Sequence, residues 1–144
     1  MRVVSVAVCL AGCPGPSGGD GGALQVEAGI GVDHFVALTG QDVNIVYGPQ
    51  GGTHVWAAVR VGHDAAPARA KVTLTLSLAD TELSRSTVTV GLVDAGEFYE
   101  WYALQAIVPD PQAIDGKTVK LRIEVHDERG RFGVDERALV ARLP

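Results

Sequence analysis

Lys71-Val72-Thr73-Leu74-Thr75-Leu76-Ser77-Leu78 alternates polar and apolar residues without a break. That period of two belongs to a β-strand with one wet face, whereas the apolar face of a helix recurs every 3.6 residues. Val72, Leu74, Leu76 and Leu78 are thus expected to face a core. Thr118-Val119-Lys120-Leu121-Arg122-Ile123-Glu124-Val125-His126 repeats the pattern, with Val119, Leu121, Ile123 and Val125 inward and Lys120, Arg122, Glu124 and His126 outward. Strands with one wet face each are how antiparallel sheets read.

Outward from these two runs the chain breaks into weaker strands at residues 24–28, 34–38, 42–47, 55–61, 86–93, 98–108 and 135–141. Turn chemistry separates most of them. Gly48-Pro49-Gln50-Gly51-Gly52, Gly62-His63-Asp64-Ala65-Ala66-Pro67, Asp94-Ala95-Gly96, Asp115-Gly116 and Asp127-Glu128-Arg129-Gly130 all carry turn residues. A short helical turn is expected only at residues 111–114. About 7–9 short strands in one domain of about 120 residues, spaced by turns, give an all-β fold. The expectation is a single antiparallel β-sandwich spanning residues 23–144. It resembles the immunoglobulin-like and fibronectin-III-like sandwiches of exported proteins, in architecture and without the Cys-Trp-Cys framework of antibody domains.

The start of the chain has a different character. Arg2 is followed by Val3-Val4-Ser5-Val6-Ala7-Val8-Cys9-Leu10 and then Ala11-Gly12-Cys13. The run is too short for a spanning helix, which needs about 20 apolar residues, and has the order of a secretory signal. Leu10-Ala11-Gly12-Cys13 resembles the lipobox of bacterial lipoproteins. The resemblance implies a signal peptide over residues 1–12, cleavage before Cys13, and lipid attachment at Cys13. It also implies membrane association through acyl chains on the bacterial envelope. Pro14 rather than Asp follows the cysteine, which favours the outer membrane over the inner. Pro14-Gly15-Pro16-Ser17-Gly18-Gly19-Asp20-Gly21-Gly22 lacks any large apolar residue and is expected to be a flexible linker, so residues 13–22 form an anchor and leash.

Cys9 and Cys13 are the only cysteines. With one in the signal and the other lipidated, the folded domain would hold no thiol for disulfides, nucleophilic catalysis or metal-thiolate sites. Charge excludes more. Lys and Arg number 12 against 17 Asp and Glu, with no basic stripe, so a nucleic-acid partner is not expected.

Enzymatic motifs are missing too. The chain contains no Gly-x-Ser-x-Gly, Ser-x-x-Lys or His-Glu-x-x-His. No cofactor or metal is expected, because His34, His54, His63 and His126 are all more than four residues apart and Met1 is the single methionine. Asp94/Glu97 and Asp127/Glu128 are the nearest approach to a calcium loop, yet Asp at turn positions is ordinary.

Two aromatic stretches remain as candidate binding surface. On the strand after the Gly-rich turn, parity sets Val55, Ala57, Val59 and Val61 inward and His54, Trp56, Ala58 and Arg60 on the opposite face. Trp and Arg are enriched at binding hot spots. Burial of Trp56 under a loop, or a bulge that reverses the parity, would remove it from the surface. In Phe98-Tyr99-Glu100-Trp101-Tyr102 alternation sends Tyr99 and Trp101 to one side and Phe98 and Tyr102 to the other. One pair belongs to the core, and either pair can pack beneath a loop or stack on a partner.

The resulting expectation is a lipid-anchored, non-enzymatic interaction or structural module with a protein or glycan partner. Its candidate surface is His54, Trp56, Arg60, Tyr99 and Trp101. Two alternatives stand: a histidine-based metal or small-ligand carrier, and a carbohydrate-binding accessory domain.

Overall fold

The structure is a computed structural model that describes residues 23–62 and 69–144; the expected signal, lipid anchor and linker lie outside the described residues. Eleven strands and one helical turn follow in order: β1 Val26–Ile30, β2 Val36–Ala37, β3 Asp42–Asn44, β4 Val46–Tyr47, β5 Thr53–Gly62, β6 Arg69–Leu78, β7 Thr81–Gly91, β8 Val93–Asp94, β9 Phe98–Ile107, α1 Pro111–Ile114, β10 Thr118–Asp127 and β11 Phe132–Arg142. They make two sheets. The first runs β2-β1-β5-β9-β8, with β4 on the end of β5, and the second runs β3-β11-β10-β6-β7. This is the immunoglobulin-like strand order, with β1, β5, β9 and β8 as strands A, B, E and D and β11, β10 and β6 as G, F and C.

The expected count of 7–9 strands is corrected upward because two runs each serve both sheets. Residues 42–47 break at buried Ile45, so β3 pairs β11 while β4 pairs β5. Residues 86–93 break at Leu92, so β7 pairs β6 while β8 pairs β9. The sheets are also not wholly antiparallel, since β3 lies parallel to β11. Strand β7 begins five residues earlier than expected. Ala79 and Asp80, at φ 47° and 65°, form a two-residue hairpin turn from β6. Such turns favour Asn-Gly or Asp-Gly, and Ala-Asp carries little of that signal.

The core lies between the sheets. Val72, Leu74 and Leu76 of β6 and Val119, Leu121, Ile123 and Val125 of β10 are all buried, opposite Val55, Ala57, Val59 and Val61 of β5. Leu78 is partly buried against them. Helical turn α1 sits where expected: Asp110 caps it by accepting from the Ala113 N–H at 3.2 Å, Pro111 opens it, and Ile114 plugs the sandwich end. The described residues contain no cysteine, so apolar packing rather than a disulfide joins the sheets. The β10–β11 turn is likewise as expected, with Gly130 at φ 76°. There the Asp127 carboxylate accepts from the Arg129 and Arg131 N–H groups at 2.9 and 2.7 Å and pairs with the Arg131 guanidinium. Its oxygens shape the turn rather than a cation site.

Candidate functional site

Strand β5 is the spine of the first sheet, and its outward residues organise the candidate site. Parity is as expected from sequence: His54, Trp56, Ala58 and Arg60 share the outer face while the valines point in. Exposure is not. His54 is 4% and Ala58 0% exposed, and Trp56 and Arg60 are half-buried. Two devices cover this face.

The first is the hairpin from β1 to β2, which folds Phe35 back across Gly29. A Cβ on Gly29 would stand 2.4 Å from the Phe35 ring, and one on Gly31, at φ 144°, would stand 1.8 Å from the His34 carbonyl oxygen. Only glycine permits the return. Phe35 lands on Arg60, whose Cζ lies 4.2 Å from the Phe35 ring centroid and 4.6 Å from that of Phe98. Within this aromatic sandwich the Arg60 Nε and Nη2 both donate to Glu100 Oε1, at 2.9 and 2.8 Å. The other Glu100 oxygen accepts from the Tyr102 hydroxyl, and Glu27 stands 3.9 Å from Arg60. The Tyr102 phenol is consequently raised above its ordinary value, chiefly by that hydrogen bond to Glu100 and then by burial. Every polar end in the cluster is engaged, so its work is to pin the hairpin. Alternation places Phe98 and Tyr102 on one side together, but Glu27, Phe35 and Glu100 were not marked from sequence, because contacts across three strands and a loop leave no periodic signature.

The second device is a bulge. Between Ala57 and Val59 of β5 the facing strand β9 inserts an extra residue, and Ala103 takes φ 54° and donates its N–H to the Gly31 carbonyl at 3.0 Å. The shift lets Trp101 and Leu104, three apart, both point inward. Tyr99 and Trp101 thus share one side, as alternation required, and that side is the core, against which both are packed. They do not join His54, Trp56 and Arg60 on one surface. Trp101 also reaches the wall of a groove of about 320 Å³ at the sandwich edge, with Leu74, Ser86, Val88, Leu104 and Ile107.

The open part of the outer face is its other end. His54 stacks edge-on against Trp56, ring centroids 4.3 Å apart. Beside the pair, the 48–52 turn, Thr53, Gln105 and Ile107 enclose a cleft of about 380 Å³. The turn closes on itself through Gly48 N–H to Gly52 O at 2.7 Å and Gly51 N–H to Gly48 O at 3.0 Å, and Thr53 spends its hydroxyl on the Val108 carbonyl. No lining side chain carries a formal charge, since burial lowers the His54 imidazole below its ordinary value and keeps it neutral at pH 7. His54 Nε2 is buried without a hydrogen-bond partner. The cleft therefore offers amides, an imidazole and an exposed isoleucine, a set suited to an uncharged polar contact with an apolar edge.

The histidines do not converge. His54 and His126 sit on the outer faces of different sheets, His126 against the Phe132 ring and His34 against Asp33, and His63 lies outside the described residues. Among the described residues no three metal-ligating side chains group together. Cys13 is likewise outside them. No protein-family model matches the chain, and no curated protein matches it significantly.

Proposed function

We propose that the chain is a non-enzymatic interaction module of the bacterial envelope, held at the membrane through lipid on Cys13, with the outer membrane favoured by Pro14. It meets a protein partner with the Trp56 end of the first sheet. The observation that carries the interaction surface is the contrast along β5. At one end Phe35 and Phe98 are committed to Arg60, and at the other Trp56 stands beside an uncharged open cleft with Ile107 39% exposed at its rim. A half-buried tryptophan next to an unfilled cleft is the composition of a binding hot spot. The tether rests on Leu10-Ala11-Gly12-Cys13 and the Gly/Pro run after it.

Two measurements test this. Cys13→Ala is expected to move the chain from the membrane to the soluble fraction, and unchanged membrane fractionation would refute the anchor. Lipidated chain extracted from membranes is expected to recover the same partner protein from wild type and from Val134→Ala, whose site is on the other sheet. Trp56→Ala and Ile107→Ala should lose it. Equal recovery by all four sinks the assigned surface, and binding to a glycan array that disappears with Trp56→Ala would replace the protein partner by a sugar.

A further inference from the structure

Three polar side chains in the walls of the cleft beside Trp56 lack hydrogen-bond partners among the described residues. The first is His54, 4% exposed, whose Nε2 is buried and unpaired. Buried polar atoms in native proteins are nearly always paired, so an orphan in the wall of a cleft points to a missing occupant. The ring turns its Cε1 edge, next to Nε2, toward Gly48, itself part of the cleft lining, and a Cβ on Gly48 would stand 3.8 Å from Cε1. Glycine at 48 thus leaves room in front of the imidazole. The others are Gln50 and Gln105, whose carboxamides bond no other described residue. Ile107, 39% exposed, adds an apolar rim.

This lining is unfavourable to most occupants. A charged group would exchange its hydration for walls that hold no countercharge. A purely apolar one would leave the amides and the imidazole unpaired. A sugar packs its C–H face on the electron-rich face of an aromatic ring, but no Trp, Tyr or Phe lines the cleft, and Trp56 is engaged with the His54 ring, centroids 4.3 Å apart. A carboxamide meets each requirement. It is uncharged and planar, and it carries both donor and acceptor, so it can exchange two parallel hydrogen bonds with a glutamine amide. A neutral imidazole donates at one nitrogen and accepts at the other, so His54 Nε2 can serve either end of that group.

We propose that the cleft receives an Asn or Gln side chain carried on a peptide segment of the partner, its carboxamide bonded by Gln50, Gln105 and His54 and its methylene stem against Ile107. The assignment rests on the reading that the Trp56 end meets a protein, and it names the group of that protein that enters.

NMR of the full chain in mild detergent, titrated with Nα-acetylglutamine amide, tests it. A ligand of this size reaches only millimolar affinity, and saturable shifts of the Gln50 and Gln105 side-chain amides are expected in that range. Two further probes should bind at least about tenfold more weakly: Nα-acetylglutamate amide, which has the same shape with a charge, and N-acetylglucosamine, which carries its amide on a sugar. His54→Phe keeps a ring beside Trp56 and removes Nε2, and it should weaken binding of the glutamine probe at least about tenfold. Should that variant fail to fold, Gln105→Leu, at an exposed position, replaces it. The proposal is overturned by the absence of saturable shifts, by equal binding of the glutamate or sugar probe, or by binding that both variants leave unchanged. Partner recovery tells its failure from that of the surface. Loss with Trp56→Ala but not with His54→Phe or Gln105→Leu removes the carboxamide alone, whereas recovery that survives Trp56→Ala as well sinks the surface and the proposal with it.

Discussion

The two outer faces of the sandwich solve the same problem in opposite ways. On the second sheet, Lys120 faces Glu136 at 3.2 Å, Arg122 faces Glu124 at 3.4 Å and Arg85 faces Glu82 at 2.9 Å, all in contact with water. On the first sheet, Arg60 is held between two phenylalanines and bonded to a glutamate only 6% exposed. The second face carries more charges, and they sit in water, whereas the fewer charges of the first lie in a lower dielectric. Exposed pairs contribute at most about 1 kcal/mol, whereas removing one member of a desolvated pair strands the other. The first face is thus a structural layer over much of its length, and its Trp56 end carries the open cleft.

The sharpest way to break this contrast is to delete one carboxylate from each face. Glu100→Ala is expected to lower stability by about 3 kcal/mol, because Arg60 stays half-buried and Tyr102 loses its acceptor. Glu136→Ala should cost less than about 0.5 kcal/mol. Urea unfolding of the two variants beside wild type reads the difference, and equal losses would mean the Phe35 hairpin does not exclude water. Gly29→Ala probes the cover itself. Its Cβ would meet the Phe35 ring and the Val36 carbonyl, at 2.4 and 2.6 Å, so the hairpin must lift at a cost of about 2 kcal/mol. A loss well below that would show that Phe35 can move aside freely.

The same contrast explains what could be read from sequence. The second sheet was legible because its outer face is wet: β6 and β10 alternate cleanly, and their inward sets are the ones buried. Strand β5 is covered on both faces, so Ala58 and His54 are as buried as the valines between them, and alternation reports parity without reporting exposure. The faces of Tyr99 and Trp101 were legible for the same reason, but not which face was the core. Residues 42–47 and 86–93 looked like single strands because a strand that changes sheets keeps its β-rich composition across the crossing. The Arg60 cluster depends on Phe35 arriving from a hairpin that two glycines allow, a long-range event with no local pattern.

The second sheet has one exception to its wet face, and it predicts a gain. Thr75 lies on the outward side of β6 yet is 5% exposed, beneath Arg85, Arg122 and Glu124, and its hydroxyl has no hydrogen-bond partner. Thr75→Val keeps the branched shape that strands favour and removes an unsatisfied buried polar atom. Stability should rise by about 0.5 to 1 kcal/mol in thermal or urea unfolding. A loss would show that the hydroxyl is satisfied by ordered solvent, and that this face is wetter than its burial suggests.

The smallest expected effect belongs to His54, and it separates the faces by pH rather than by mutation cost. Burial lowers the His54 imidazole below its ordinary value of 6.5. In the unfolded chain the ring takes up a proton near that value, while in the folded chain it resists protonation until the pH is lower. Between the two the unfolded state binds more protons, so stability is full above about pH 6.5 and declines as the pH falls through the folded value. His54→Gln removes the titrating group while keeping a polar side chain in the cleft wall. Its stability should fall less than that of wild type between pH 6.5 and 5, measured as the urea midpoint at each pH. Parallel curves for the two proteins would mean that the ring is hydrated in the folded chain. In that case the imidazole in the cleft wall is open to water, and this end of the first sheet is wetter than the burial of His54 indicates.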